Sequence, residues 1–270
     1  MAATKTPPAL TNEQIVEVLA LTKESDSVEL KLTVPADSQR ATAKALDIDP
    51  LDAQIRQVFF FDTPDLTLNA NGVVVRARRV QGKGDDTVVK LRPVVPNELP
   101  PELRALPMFN VEVDAMPGGF VCSGSMKGAL DAPRVRETVS GDRPLRKLFT
   151  KEQRAFYEAH APDGIELDTL TTLGPIPTIK VKVTPGGFGR KLVGELWMYP
   201  DGSQIVELST KARPDEAFQV SAEARVFLLS LGVDLTSEQQ TKTKTALEFF
   251  TSAKQNAPAV KPKMKEGART

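Results

Sequence analysis

The sequence predicts an α+β chain in which a closed β-barrel with a charged interior is covered on its outside by helices. Two observations carry that expectation. The first is a set of short segments in which charges recur at every second residue: Val28-Glu29-Leu30-Lys31-Leu32, Val74-Val75-Arg76-Ala77-Arg78, Val88-Val89-Lys90-Leu91-Arg92, Val111-Glu112-Val113-Asp114 and Ile179-Lys180-Val181-Lys182-Val183. Residues i and i+2 of a strand point to one side, so each segment presents a charged face. Gly194-Glu195-Leu196-Trp197 and Val206-Glu207-Leu208-Ser209-Thr210-Lys211 bring the set to seven, with both signs represented. One or two such faces suit a solvated sheet; seven suit a barrel lumen. The second observation is the reverse face of the same segments. With the charges inward, Val, Leu and Ile point outward and need cover, which the helical stretches of the chain supply.

Thr11-Asn12-Glu13-Gln14, followed by Ile15, Val16, Val18, Leu19 and Leu21, reads as a helix with Thr11 as N-cap and Gln14 in the capping-box position. Residues 1–25 form an N-terminal extension around it. A charged-face strand follows from about Ser27 to Val34, then a short helix pattern within Pro35 to Leu46. The strand from Gln57 to Asp62 ends in Asp62-Thr63-Pro64-Asp65, where side-chain oxygens and proline favour a turn. Asn69-Ala70-Asn71-Gly72 marks a hairpin turn before the Arg76/Arg78 strand, and Gln81-Gly82-Lys83-Gly84-Asp85-Asp86 another before Thr87 to Arg92. Five prolines from Pro93 to Pro107 predict an irregular excursion before a strand at Phe109 to Ala115.

Pro117 to Asp163 is predicted as a mostly helical insert, clearest from Thr150, with Glu152 and Gln153 near its N-terminus, to before Pro162. Strands follow at Thr178 to Thr184, Lys191 to Tyr199 and Gln204 to Lys211, the last two joined by the turn Tyr199-Pro200-Asp201-Gly202-Ser203. Two helices, about Pro214 to Leu231 and Ser237 to Thr251, come next. No long polar linker interrupts this order, so residues 26–251 are expected to form one domain. Residues 252–270, a Pro, Ala and Lys mixture without hydrophobic periodicity, read as a disordered basic tail.

Composition narrows the function. The 35 basic residues balance the 35 acidic ones, so nothing points to a general nucleic-acid or membrane binder and any electrostatic role comes from local sorting of charge. No sequence-specific nucleic acid and no membrane is expected as partner. Met1 to Leu10 lacks the apolar stretch of a secretory signal, and no run approaches the roughly 18 apolar residues of a membrane span. The single cysteine, Cys122, cannot form an internal disulfide, which suits a reducing, cytoplasmic setting.

Sorting the inward faces gives the basic residues Lys31, Arg76, Arg78, Lys90, Arg92, Lys180, Lys182 and Lys211 and the acidic residues Glu29, Glu112, Asp114, Glu195 and Glu207. Like charges at this density repel unless a ligand compensates them. Phosphates suit the basic set, because arginine offers a bidentate fork while lysine follows a flexible chain as a point charge. Mg²⁺ or Mn²⁺ suits the carboxylates, since hard cations take oxygen ligands and bridge to substrate phosphates.

Glu29-x-Lys31, then Phe60-Phe61-Asp62-Thr63-Pro64-Asp65-Leu66, Gly72 with Arg76-x-Arg78, Val89-Lys90-Leu91 and Glu112 resemble the CYTH superfamily, also called triphosphate tunnel metalloenzymes. The resemblance spans about Ser27 to Lys211. The run from Glu195 to Gly202 and on to Lys211 is similar to a bacterial branch of it. The resemblance implies an eight-stranded antiparallel barrel forming a tunnel that binds a triphosphate or polyphosphate with a divalent metal. It implies Lys31, Arg76, Arg78 and Lys90 as phosphate ligands and Glu29 and Glu112 as metal ligands. The match is looser for Lys180, Lys182, Lys211, Glu195 and Glu207, and Asp168 is a competing acid. The implied activity is a metal-dependent triphosphatase. One departure is Ser27, where the superfamily's Glu-x-Glu-x-Lys signature has its first carboxylate. It motivates a second reading, a non-catalytic polyphosphate or nucleotide-binding module. A third, an adenylyl cyclase, needs selection of a base and a 3′-hydroxyl for which no feature stands out, and no residue stands out as a general base.

The remaining motifs have structural readings. His160, the only histidine, precedes Ala161-Pro162 at a helix end and reads as a cap. Trp197 alternates with Glu195 and reads either as lining the tunnel or, in preference, as core or mouth packing, and Gly186-Gly187-x-Gly189 lies between strands, so it does not feed a helix as a phosphate loop does.

Overall fold

The structure is a computed structural model describing residues 10–131, 133–236 and 239–255, the side chains of 251–255 excepted. In chain order the elements are α1 (Asn12–Lys23), β1 (Ser27–Val34), α2 (Gln39–Ala45), β2 (Gln54–Asp62), α3 (Thr67–Ala70), β3 (Val73–Val80), β4 (Asp85–Leu91), α4 (Pro101–Arg104), β5 (Phe109–Met116) and β6 (Gly119–Leu130). Then come α5 (Arg134–Val139), α6 (Lys151–Glu158), β7 (Thr171–Val183), β8 (Leu192–Met198), β9 (Gln204–Ala212), α7 (Ala217–Ser230) and α8 (Lys242–Gln255).

The strands close into a barrel in the order β1-β5-β6-β4-β3-β2-β7-β8-β9, with β9 returning to β1. Two expectations are corrected here. Nine strands, not eight, form the barrel among the described residues, and it is mixed rather than wholly antiparallel, because β1 and β5 run parallel. Asp26 fixes that parallel seam: its N–H donates to the Val111 carbonyl at 2.9 Å, and the Val111 N–H donates back to Asp26 Oδ2 at 2.7 Å.

The additional strand is β6, and it brings a third correction. Gly119–Leu130, read from sequence as the start of a helical insert, is β6, paired with β4 on one side and β5 on the other. Its lumen-side Ser123 and Ser125 and outward Gly124 and Gly128 carry little β-propensity, so alternation is faint. Small residues are required there. A Cβ on Gly124 would lie 2.8 Å from the Phe109 ring, and one on Gly128 would lie 2.5 Å from Gln153 Oε1. Gln153 closes the α6 capping box with Thr150 and also donates through Nε2 to the Met126 and Thr87 carbonyls, which docks α6 on β4 and β6. The predicted Thr11/Gln14 capping box on α1 is also present.

Outward apolar residues form two layers. Phe59, Phe61, Val75, Val89, Val111, Val113 and Met126 lie under α1, α5 and α6. Leu32, Val34, Leu192 and Leu208 lie under Ala224, Phe227 and Leu228 of α7. A third cluster has the opposite sense. Phe60 stands directly across from Arg76, and Trp197 and Ile205 alternate with Glu195 and Glu207, so all three point into the barrel. Ala246 and Leu247 of α8 pack on them. One stretch of the lumen is therefore apolar, and α8 seats there instead of on the outside. The α8 helix continues through Gln255, into the stretch predicted as tail; residues 1–9 and 256–270 lie outside the described residues.

Candidate functional site

Charged lumen residues gather in two clusters. Asp114, 2% exposed, sits at the centre of the first. Its Oδ1 is 2.8 Å from Lys31 Nζ, and its Oδ2 is 3.5 Å from Lys90 Nζ and 3.4 Å from Arg92 Nη2. The parallel seam sets Glu29 opposite Asp114 and Ser27 opposite Glu112. Lys31 also pairs with Glu29 at 3.3 Å, and Ser209 Oγ donates to Glu29 Oε1 at 3.0 Å. Ser27 Oγ donates to Glu112 Oε2 at 3.1 Å, and the exposed Lys211 pairs with the same oxygen. Glu29, Glu112 and Asp114 each offer an oxygen within 4.8 Å of the others, a set able to hold a metal ion. An all-carboxylate set fits a hard divalent cation.

Burial and charge compete in this cluster. Burial works against the Lys31 ammonium, but Asp114, Glu29 and Glu207 together outweigh it and raise its pKa. Burial likewise opposes the Asp114 carboxylate, yet Lys31, Lys90 and Arg92 hold its pKa well below the usual range. Lys90 goes the other way. Burial, helped by Arg92 and Lys31, pushes its pKa down to about 8 despite Asp114.

In the second cluster, Glu195 and Glu207 face each other across β8 and β9. Lys242 Nζ, from the first residue of α8, lies 2.5 Å from Glu195 Oε2 and 2.7 Å from Glu207 Oε1. Glu195 Oε1 takes Lys180 at 3.2 Å and Arg56 at 3.8 Å. Burial opposes the Glu195 charge, but Lys242 and Lys180 drive its pKa down. Arg78 pairs with Asp86 at 2.9 Å. Arg76 is different: its buried Nε has no hydrogen-bond partner, and burial, then Arg78, push its pKa down to about 10.

Of the predicted site residues, Glu29, Lys31, Lys90, Arg92, Glu112, Asp114 and Lys211 meet in the first cluster. Glu195, Glu207 and Lys180 meet in the second; Arg76 and Arg78 line the wall beside it. Lys182 shares their face but is exposed at the end of β7. Asp168 lies elsewhere, bound to the Arg146 backbone N–H at 2.8 Å and to its guanidinium. Sequence reasoning misses Arg56, Asp86 and Lys242. Arg56 and Asp86 alternate in phase with Val58 and Val88 and were legible by extending those strands; Lys242 carried no signal, because only the docking of α8 brings it inside.

No protein-family profile matches this sequence, and no curated protein matches it. Solved structures do. The chain superposes on an adenylyl cyclase candidate from Hippeastrum with a dominant triphosphatase activity, at a TM-score of 0.62 and 15% identity, over 82% of this chain and 95% of that one. It also superposes on an adenylate cyclase candidate from Bacillus halodurans, at a TM-score of 0.58 and 13% identity, over 82% and 97%. At such identities the likeness is one of fold. The chain shares the fold of these two structures, a closed barrel with helices around it. No helix among the described residues is long and apolar enough to cross a membrane.

Proposed function

We propose that this protein is a divalent-metal-dependent phosphohydrolase acting on tripolyphosphate or a triphosphate-containing organic molecule bound in the barrel. The observation that carries the reading is Arg76 on the lumen wall: its buried Nε has no acceptor, and Arg78 and Arg92 are among the charges that surround it. A buried guanidinium N–H without an acceptor is unfavourable, and a phosphate oxygen that accepts from it removes that cost. Glu29, Glu112 and Asp114 would hold Mg²⁺ or Mn²⁺, which when bound supplies charge neutralisation on phosphate oxygens. Lys31, Lys90 and Arg92, already gathered at Asp114, orient and neutralise the phosphates. Lys211 and Lys182 stand exposed at strand ends, where they would meet the phosphate chain first.

A second reading has its own observation. Ser27 donates a hydrogen bond to Glu112 where the superfamily's signature has a carboxylate, and a barrel that binds polyphosphate or a nucleotide without hydrolysing it follows from that exchange. Orthophosphate release from tripolyphosphate, ATP and long-chain polyphosphate with Mg²⁺ or Mn²⁺ separates the two. Metal-dependent release, abolished by Lys31→Ala and by Glu112→Ala, is expected. Tight binding that Lys31→Ala weakens, with no release from any substrate, would select the binding module. Cyclic AMP and pyrophosphate from ATP would select a cyclase.

A further inference from the structure

We propose that Lys242 is a tethered cation that fills the Glu195/Glu207 pair, so that this pair takes no divalent ion in the native protein. That statement stands on the geometry of α8; its corollary, a single metal ion at Glu29, Glu112 and Asp114, rests on the function proposed above. Two carboxylates directly opposed on neighbouring strands and nearly buried repel each other strongly unless a cation lies between them. The Lys242 ammonium does lie between them, touching one oxygen of each, with only 14% of its side chain exposed. The Trp197 ring stands 5.4 Å away as a cation–π partner, and its Nε1 donates to the same Glu195 oxygen that takes Lys242.

The ammonium is held there by the helix that carries it. Tyr199 Oη donates to the Lys242 carbonyl at 3.1 Å, the Thr33 N–H donates to Gln239 Oε1 at 2.8 Å, and the Gln240 N–H donates to Thr33 Oγ1 at 3.2 Å. Leu247 and Ala246 lock the next turns into the apolar lumen. A covalently attached cation so fixed acts at an effective concentration that a dissolved ion cannot match. The first cluster lacks such a device, since its cations come from the strands or, for Arg92, from the residue just past β4, and its three carboxylates still converge.

Mn²⁺ uptake by the full chain, counted from the loss of the free-ion electron paramagnetic resonance signal, tests this. Lys242→Met is expected to take up one Mn²⁺ per chain more than the native protein, and adding Glu207→Gln to it removes that ion. Lys242→Arg, which keeps the cation, leaves the native count unchanged. Glu207→Gln alone also leaves it unchanged, which decides the matter should Lys242→Met fail to fold. No gain on Lys242→Met, or an ion lost from the native protein on Glu207→Gln, overturns the proposal. The native count is a separate reading: no Mn²⁺ bound by the native protein, with the gain on Lys242→Met intact, would sink the metal site at Glu29, Glu112 and Asp114 and leave this assignment standing.

Discussion

At Asp114 the neutralising charges come from Lys31 on β1, Lys90 on β4 and Arg92 just beyond it, side chains that strand alternation aims at one point. At Glu195 and Glu207 they come from Lys180 on β7, Arg56 on β2 and Lys242, a residue of a helix seated in the barrel. The first arrangement leaves cations whose long side chains can turn to an incoming anion. The second is locked by apolar packing around Leu247 and Trp197. Two groups of carboxylates in one lumen are thus suited to different tasks, one to exchange partners and the other to hold a helix.

The largest expected effect comes from deleting the centre of the first cluster. Asp114→Ala strands buried cations without their carboxylate, which costs about 3–5 kcal/mol in urea unfolding. Tripolyphosphate added to this variant is expected to restore much of the loss, because its oxygens can replace the carboxylate facing Lys31, Lys90 and Arg92. Glu207→Ala also destabilises, but tripolyphosphate restores less, since the ammonium left behind, Lys242, is on α8 and stays held by Glu195. Equal recovery of both variants would erase the distinction between the clusters.

The same contrast explains what could be read before the structure. Alternating charges announce the first cluster, because period two is written directly in Glu29-x-Lys31, Glu112-x-Asp114 and Lys90-x-Arg92. The barrel and most helices follow from the same patterns and from the caps at Thr11 and Thr150. What failed to show depended on tertiary approach. The strand β6 is made of residues small enough for Phe109 and Gln153 to press against them, so its sequence looks unlike a strand. Lys242 is one lysine among several near the C-terminus, and nothing local distinguishes it from Lys244, which is exposed in an ordinary i,i+4 pair with Glu248.

A middle-sized effect sharpens the role of the unpartnered wall. Arg76→Met keeps much of the apolar volume and removes a buried charge whose Nε has no acceptor. Tripolyphosphate affinity is expected to fall by about 1.5–3 kcal/mol, the worth of hydrogen bonds to a charged group, measured by titration calorimetry. Thermal stability without ligand is expected to hold or rise, because no partner is orphaned. Loss of stability with unchanged affinity would mean that Arg76 is a structural residue and not an anion ligand.

The smallest effect concerns acid. Asp114 and Glu195 both have pKa values held below the ordinary carboxylate range, against burial, by Lys31 and Lys90 in one case and by Lys242 and Lys180 in the other. A depressed folded-state pKa means that the unfolded chain binds more protons as the pH falls, so the stabilisation is present above the unfolded value and is lost below it. With unfolded values near 4.3 for Glu and 3.9 for Asp, the Glu195 share starts to go at slightly higher pH. Urea midpoints in EDTA between about pH 5 and pH 3 should fall more steeply for the native protein than for Asp114→Asn or Glu195→Gln. Each variant is expected to remove up to about 1.4 kcal/mol per pH unit from that slope. A slope unchanged by Glu195→Gln would mean that Lys242 does not hold the pair charged, and the internal cation would lose its physical basis.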